Sequence, residues 1–278
     1  MNKIFKSFII VTLIALSLLS FTACSSNANE PKGSQEKNEA EDTSLQSVLD
    51  SKVLKVGMCP EYPPFESINE NNEIVGFDPG LATAIAEELG VKAEFVNTPW
   101  EGLIAGVNNG NFDIIMSAMS PEEATAATDA VEISSNYYIL ADVVVIKADN
   151  EEIKSKEDLS GKVIGIQDSS SAAQAAESLP EMGIEPAEVK HYNRNADAYA
   201  ELANGRIDAI IVGSTYANEQ AKGNPEFKVI NDPIHEVGIA VIAKDGAHSL
   251  VGKIEEAIDD LKENGTYDNI AVEWLAAD

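Results

Sequence analysis

Cysteine is nearly missing from this chain of 278 residues: Cys24 and Cys59 are the two present. That excludes a disulfide scaffold and a zinc ribbon. Histidine is as sparse, with His191, His235 and His248 scattered, so a histidine-based metal cage is not expected. Positive charge is short as well. Lys and Arg number 19 against 47 Asp and Glu, a net charge of −28, and such a surface repels phosphate backbones and argues against nucleic-acid binding. Arginine is down to Arg194 and Arg206. Also lacking are the phosphate-cradling G-x-x-x-x-G-K-S/T and G-x-G-x-x-G, the nucleophile elbow G-x-S-x-G, and the zinc-binding H-E-x-x-H. No catalytic residue, cofactor or metal is therefore expected. Nothing repeats at a fixed period, which excludes a solenoid. What remains, 44% apolar and 6% aromatic residues, suits a globular protein with room for two lobes.

The longest apolar run, Phe8 to Phe21, falls short of the ~20 residues that cross a bilayer. Behind Lys3 and Lys6 it reads as the hydrophobic part of a secretion signal. It ends in Phe21-Thr22-Ala23-Cys24, which resembles the lipobox of bacterial lipoproteins, although Phe21 stands where leucine is usual. The expectation is a signal over 1–23, a lipid on the Cys24 sulfur, and a polar, flexible spacer over 24–50. The protein would then be exported and held by its lipid on the outer face of a bacterial cell membrane, as a monomer.

From Val53 onward, short apolar runs alternate with amphipathic stretches. Strands are predicted at 53–57, 93–96, 112–116, 143–146, 163–166, 207–212 and 239–243. Asp78-Pro79 opens a helix, with Asp78 as cap and Pro79 at the first helical position, and Gly90 closes it. Further helices fit 171–179, 196–204, 214–222 and 249–264, with a short one around Leu103, Ile104 and Val107. Strands alternating with helices imply an α/β fold with largely parallel sheets.

Several segments together resemble one family. Tyr62-Pro63-Pro64-Phe65-Glu66, Val75-Gly76-Phe77-Asp78, Trp100-Glu101-Gly102-Leu103-Ile104 and Gly110-Asn111-Phe112-Asp113-Ile114-Ile115 stand in the order and spacing of the amino-acid-type (family 3) solute-binding proteins of bacterial ABC importers. The resemblance continues through 158–167, 204–209 and 263–274. It implies a two-lobed periplasmic-binding-protein-like fold of type II with the ligand cleft between lobes. One lobe would hold 51–139 and 238–278, the other 140–237. The function implied is capture of a small amino-acid-like or non-standard (aromatic, heterocyclic or cationic) solute by hinge closure and delivery to a permease and its ATPase. A cyclohexadienyl-dehydratase-like enzyme and a sensory or adhesive lipoprotein are the alternatives on this scaffold; the first would need a cationic grip on its substrate.

The resemblance also implies a pocket. Tyr62 and Trp100 would sandwich the ligand, with Phe65 either beside them or in the core. Ser117, Ala118, Met119 and Ser120 would offer backbone groups and hydroxyls, although Ser120-Pro121-Glu122-Glu123 reads equally as a capping box. Across the cleft, Gln167, Asp168, Ser169, Ser170 and Ser171 open a helix in the turn that holds a ligand carboxylate in the family. Departures are as informative. The usual T-P-E-R, whose arginine takes the α-carboxylate, is absent at Pro121-Glu122-Glu123. The aspartate for the α-ammonium is Gly213, and a third polar position is Cys59. The remaining lining, with Tyr216 added and Glu61, Glu101, Glu122 and Asp168 near, suits a cation by cation–π contact or a flat heterocycle by stacking.

Overall fold

The computed structural model describes residues 42–275; the signal over 1–23 and Cys24 lie outside them. The chain opens with α1 (Ser44–Ser51), β1 (Val53–Met58), a small sheet of β2 (Glu61–Tyr62), β3 (Glu66–Ile68) and β4 (Ile74–Val75), α2 (Phe77–Glu88) and β5 (Lys92–Asn97). It continues with α3 (Leu103–Asn108), β6 (Ile114–Ile115), α4 (Pro121–Ala127), β7 (Val131–Ile133) and β8 (Tyr138–Lys147). Next come β9 (Val163–Gln167), α5 (Ser171–Ser178), β10 (Glu188–Tyr192), α6 (Asn195–Ala203), β11 (Ala209–Gly213), α7 (Ser214–Gly223) and β12 (Phe227–Ile239). The last elements are β13 (Ile242–Lys244), α8 (His248–Glu263) and α9 (Thr266–Trp274).

Two five-stranded sheets result, ordered β5-β1-β6-β13-β7 and β10-β9-β11-β8-β12. In each, four strands point one way and one, β13 or β8, runs against them, so two of the four pairings are parallel and two antiparallel, and the sheets are mixed rather than largely parallel. In the first sheet the antiparallel pairings are those of β13; in the second they involve β8 and β12. These last two pair antiparallel from Tyr138↔Ile239 to Lys147↔Phe227, one carrying the chain out of the first lobe and the other bringing it back. The cores divide along these strands. Leu140, Val237 and Ile239 pack with the first lobe, and Val144, Ile146, Ile230 and Ile234 with the second.

The helices form where apolar residues recur at helical spacing. On α8, Val251, Ile254, Ile258 and Leu261 share the buried face. For α2 the cap differs from expectation: the N-cap is Gly76, and Asp78 lies in the first turn with its side chain turned inward. Gly76 has φ +141, and a Cβ there would stand 2.2 Å from the Phe65 carbonyl oxygen, so only glycine fits.

The flexible spacer expected over 24–50 ends earlier, because Asp42 to Ser51 is built into the first lobe. Val48 is buried, and Leu45 and Leu49 pack against the same core, giving one short apolar face amid polar sequence. The Asp42 carboxylate accepts from Ser44 N at 2.9 Å and from Ser249 N at 2.5 Å, the latter at the start of α8. Burial opposes its charge, but the hydrogen bonds from Ser44 and Ser249 outweigh that and hold the carboxyl well below the usual carboxylate range.

Candidate functional site

A cleft enclosing about 540 Å³ of empty space, part of it open to solvent, lies between the lobes. The first lobe lines it with Cys59, Glu61, Tyr62, Glu66, Trp100, Ser117, Ala118 and Glu123. Strand β8 adds Leu140 and Asp142, and the second lobe adds Gln167, Ser170, Ser171, Ala172, Asn195, Val212 and Gly213. Four contacts cross it. Trp100 Nε1 donates to the Ser169 carbonyl at 3.3 Å, and Arg194 Nε meets Glu61 Oε2 at 3.1 Å. Ser171 N donates to Glu123 Oε1 at 2.5 Å. The Tyr62 ring stacks on Tyr216 with centroids 4.7 Å apart and planes 6° from parallel.

Of the residues expected in the pocket, Cys59, Tyr62, Trp100, Ser117, Ala118, Gln167, Ser170, Ser171 and Gly213 face the cleft. Five do not line it. Phe65 is fully buried, edge-on to Phe77 and Tyr138, and so belongs to the core. Met119 is buried in a cluster with Leu103 and Phe112. Ser120 is the buried N-cap of α4, its side chain accepting from Glu123 N at 3.1 Å. Ser169 offers Trp100 its carbonyl from a left-handed backbone. Tyr216 stands behind Tyr62 as its stacking partner. Of the acids expected near, Glu61 lines the cleft and Glu101 an adjoining hollow, whereas Glu122 and Asp168 are exposed.

What sequence reasoning missed is the set of buried carboxylates. Glu66, Glu123 and Asp142 all line the cleft, and Asp78 is buried behind it. Asp142 is pushed up to about 7 by burial, against the lowering pull of a hydrogen bond from Ser171 Oγ at 3.1 Å. Glu123 is also raised to about 7 by burial, although Ser120 N and Ser171 N both donate to it and favour its charge. Burial and the neighbouring Asp78 charge raise Glu66, whose Oε1 accepts from Ser117 Oγ at 2.9 Å. Asp78 is raised to about 7 by burial, opposed by Ala118 N and the Tyr137 hydroxyl. The Cys59 thiol is pushed up to about 12 by burial and by Glu66 and Glu61, so it is a poor nucleophile.

Three lining residues hold a buried oxygen without a hydrogen-bond partner: Glu66 Oε2, Asp142 Oδ2 and Asn195 Oδ1. His235 Nδ1 stands 3.9 Å from Asp142 Oδ2, too far for a hydrogen bond. Among the described residues no lysine or arginine lines this cleft; Arg194 borders only the adjoining hollow. The signals that could have found these acids are local. Asp142 interrupts the apolar strand Tyr138–Lys147, and Glu123 stands three residues after the N-cap, where T-P-E-R would put its arginine.

Residues 54–277 match the model of the bacterial extracellular solute-binding proteins, family 3. The chain belongs to this family. Among its family 3 relatives, the ABC transporter arginine-binding protein 1 of Escherichia coli is 30% identical over 80% of this chain and 90% of its own. The L-cystine-binding protein TcyA of Bacillus subtilis is 26% identical over 98% of each. Of solved structures, an ancestral amino acid-binding protein, a precursor of cyclohexadienyl dehydratase, superposes with a TM-score of 0.74 at 31% identity, covering 84% of this chain and all of that one. In this chain the cleft lies between two α/β lobes, with β8 and β12 running from one to the other.

Proposed function

We propose that this family 3 protein is the capture subunit of an ABC importer, exported and lipid-anchored through Cys24, which closes on a small solute and delivers it to a permease. It acts as a binding protein, not as a catalyst. The observation that carries the reading is the pairing of aromatic walls from one lobe, Tyr62 and Trp100, with the first turn of α5 from the other, across one enclosed cleft. Hinge closure about β8 and β12 is the motion such a cleft needs. The lobes are taken as 51–139 with 238–278, and 140–237, with α1 added to the first. Relatives are named for arginine, cystine and histidine. The test is a thermal-shift screen of the purified protein against the twenty amino acids, quaternary amines, polyamines, nucleobases and aromatic acids. A true ligand at 100 times its dissociation constant stabilises the fold by about 2.7 kcal/mol, a shift of about 5–10 °C. Silence across the library overturns solute capture. Replacing Cys24 with Ala should release the protein from the membrane fraction; retention would overturn the anchor.

A further inference from the structure

Ser171 opens α5, the eight-residue helix that faces the first lobe across the cleft, and both of its donors are already engaged. Its N–H reaches Glu123 Oε1 at 2.5 Å and its hydroxyl reaches Asp142 Oδ1 at 3.1 Å. The resemblance assigns this turn to a carboxylate carried by the ligand; here the chain's own Glu123 occupies it. Glu123 is held there firmly, since its second oxygen takes Ser120 N at 2.6 Å in the capping box of α4. A ligand carboxylate would thus find the Ser171 N–H taken, no lysine or arginine on the walls among the described residues, and Glu66, Glu123 and Asp142 as buried neighbours. Like charges so placed, away from water, repel strongly.

A positive group meets the opposite situation. Asp142 Oδ2 is an acceptor without a donor on a side chain that is 0% exposed, and Glu66, 1% exposed, has only the Ser117 hydroxyl and the neighbouring Asp78 carboxyl against it. Asn195 Oδ1 is another acceptor without a donor. Tyr62 and Trp100 add ring faces that attract a cation. Resting on the solute-capture reading above, we infer that the ligand is a small organic cation without a carboxylate, a primary amine or guanidine held by the cleft carboxylates Asp142 and Glu66. Glu123 supplies the carboxylate that an amino acid would have brought, and so closes the lobes on a ligand that lacks one.

The test is isothermal titration of the purified protein with matched pairs that differ only in that carboxylate: agmatine and arginine, cadaverine and lysine, putrescine and ornithine. The amine of at least one pair should bind tenfold or more tightly than its amino acid. Its heat should vary between buffers in the sense of proton release, because the buried acids ionise as the cation arrives. Glu123→Gln keeps an acceptor for Ser171 N but removes the charge; amine affinity should fall about tenfold while circular dichroism stays unchanged. An amino acid that binds as tightly as its amine, or unchanged amine affinity in that variant, overturns the inference and leaves solute capture standing. No heat with any pair, together with a carboxylated hit in the library screen, does the same. No binding in either experiment overturns both.

Discussion

Asp142→Asn isolates what a single buried carboxylate costs this fold. Asp142 is wholly buried in β8, with one oxygen on Ser171 Oγ and the other unpartnered. Burial lifts it from an ordinary 3.8 to about 7. A carboxyl raised in the folded state binds its proton more tightly there than in the unfolded chain. Its stabilising contribution is therefore complete below pH ~4 and is lost as pH rises to ~7. Three pH units at ~1.4 kcal/mol each set a ceiling of ~4 kcal/mol for the loss. Asparagine has nearly the same shape, keeps an acceptor for Ser171 and never ionises. Melts of both proteins without ligand, from pH 4 to 8.5, make the measurement. The melting temperatures should nearly coincide at pH 4, and the variant should lead by about 8–16 °C at most above pH 8. Taking the difference cancels the general self-repulsion of a chain with net charge −28. A gap that stays constant with pH, or a wild type that gains stability between pH 5 and 8, would refute the assignment of Asp142 as a raised, uncompensated acid.

Gly213→Ala would put a Cβ 2.2 Å from the Tyr62 hydroxyl and 2.8 Å from Leu140 Cδ2. Titration should show ligand affinity reduced about tenfold or more, with the ligand-free melt shifted only slightly; unchanged affinity would mean that Tyr62 swings away freely. Trp100→Ala removes a ring face of the cleft and the bond to the Ser169 carbonyl; calorimetry should register a loss of about 1–2 kcal/mol in binding. Val48→Ala opens a void beneath α1 and should cost about 1–2 kcal/mol in urea unfolding, whereas a neutral result would place α1 outside the cooperative core. Arg194→Ala breaks an ion pair with both partners about half exposed, so stability should move by less than ~1 kcal/mol.

Much of this architecture was legible because period and punctuation are local. The run Val163–Gln167 and the face of α8 need nothing beyond their own residues to declare strand and helix. Pairing direction is not local. It follows from which strands come to lie side by side, so the antiparallel pairings of each sheet escaped sequence reasoning. Helix α1 escaped because Leu45, Val48 and Leu49 are three apolar residues in a polar stretch, and their partner face on α8 lies about 200 residues away. In the site, Tyr62 and Trp100 sit in motifs and were found. Glu66 and Asp142 are two among 47 acids, and composition hid them. Phe65 and Met119 share motifs with pocket residues yet are buried in cores; both lie in turns and loops outside the strands, where no period tells inward from outward.

The clasp of Asp42 on Ser249 has a mechanical meaning. Helix α1 rests on α8, and α9 rests on α2, so both ends of the described chain are grounded in the same lobe. The chain passes to the other lobe and back through two strands, and the contacts across the cleft are the remaining links between the lobes. If the lobes close as proposed, a pull transmitted through Asp42 would be taken up on α8 in the grounded half and would not oppose that closure. Under the proposed closure, a reporter fused at either end would ride on the lobe of α1 and α9, and one inserted between α7 and β12 would report movement of the other lobe.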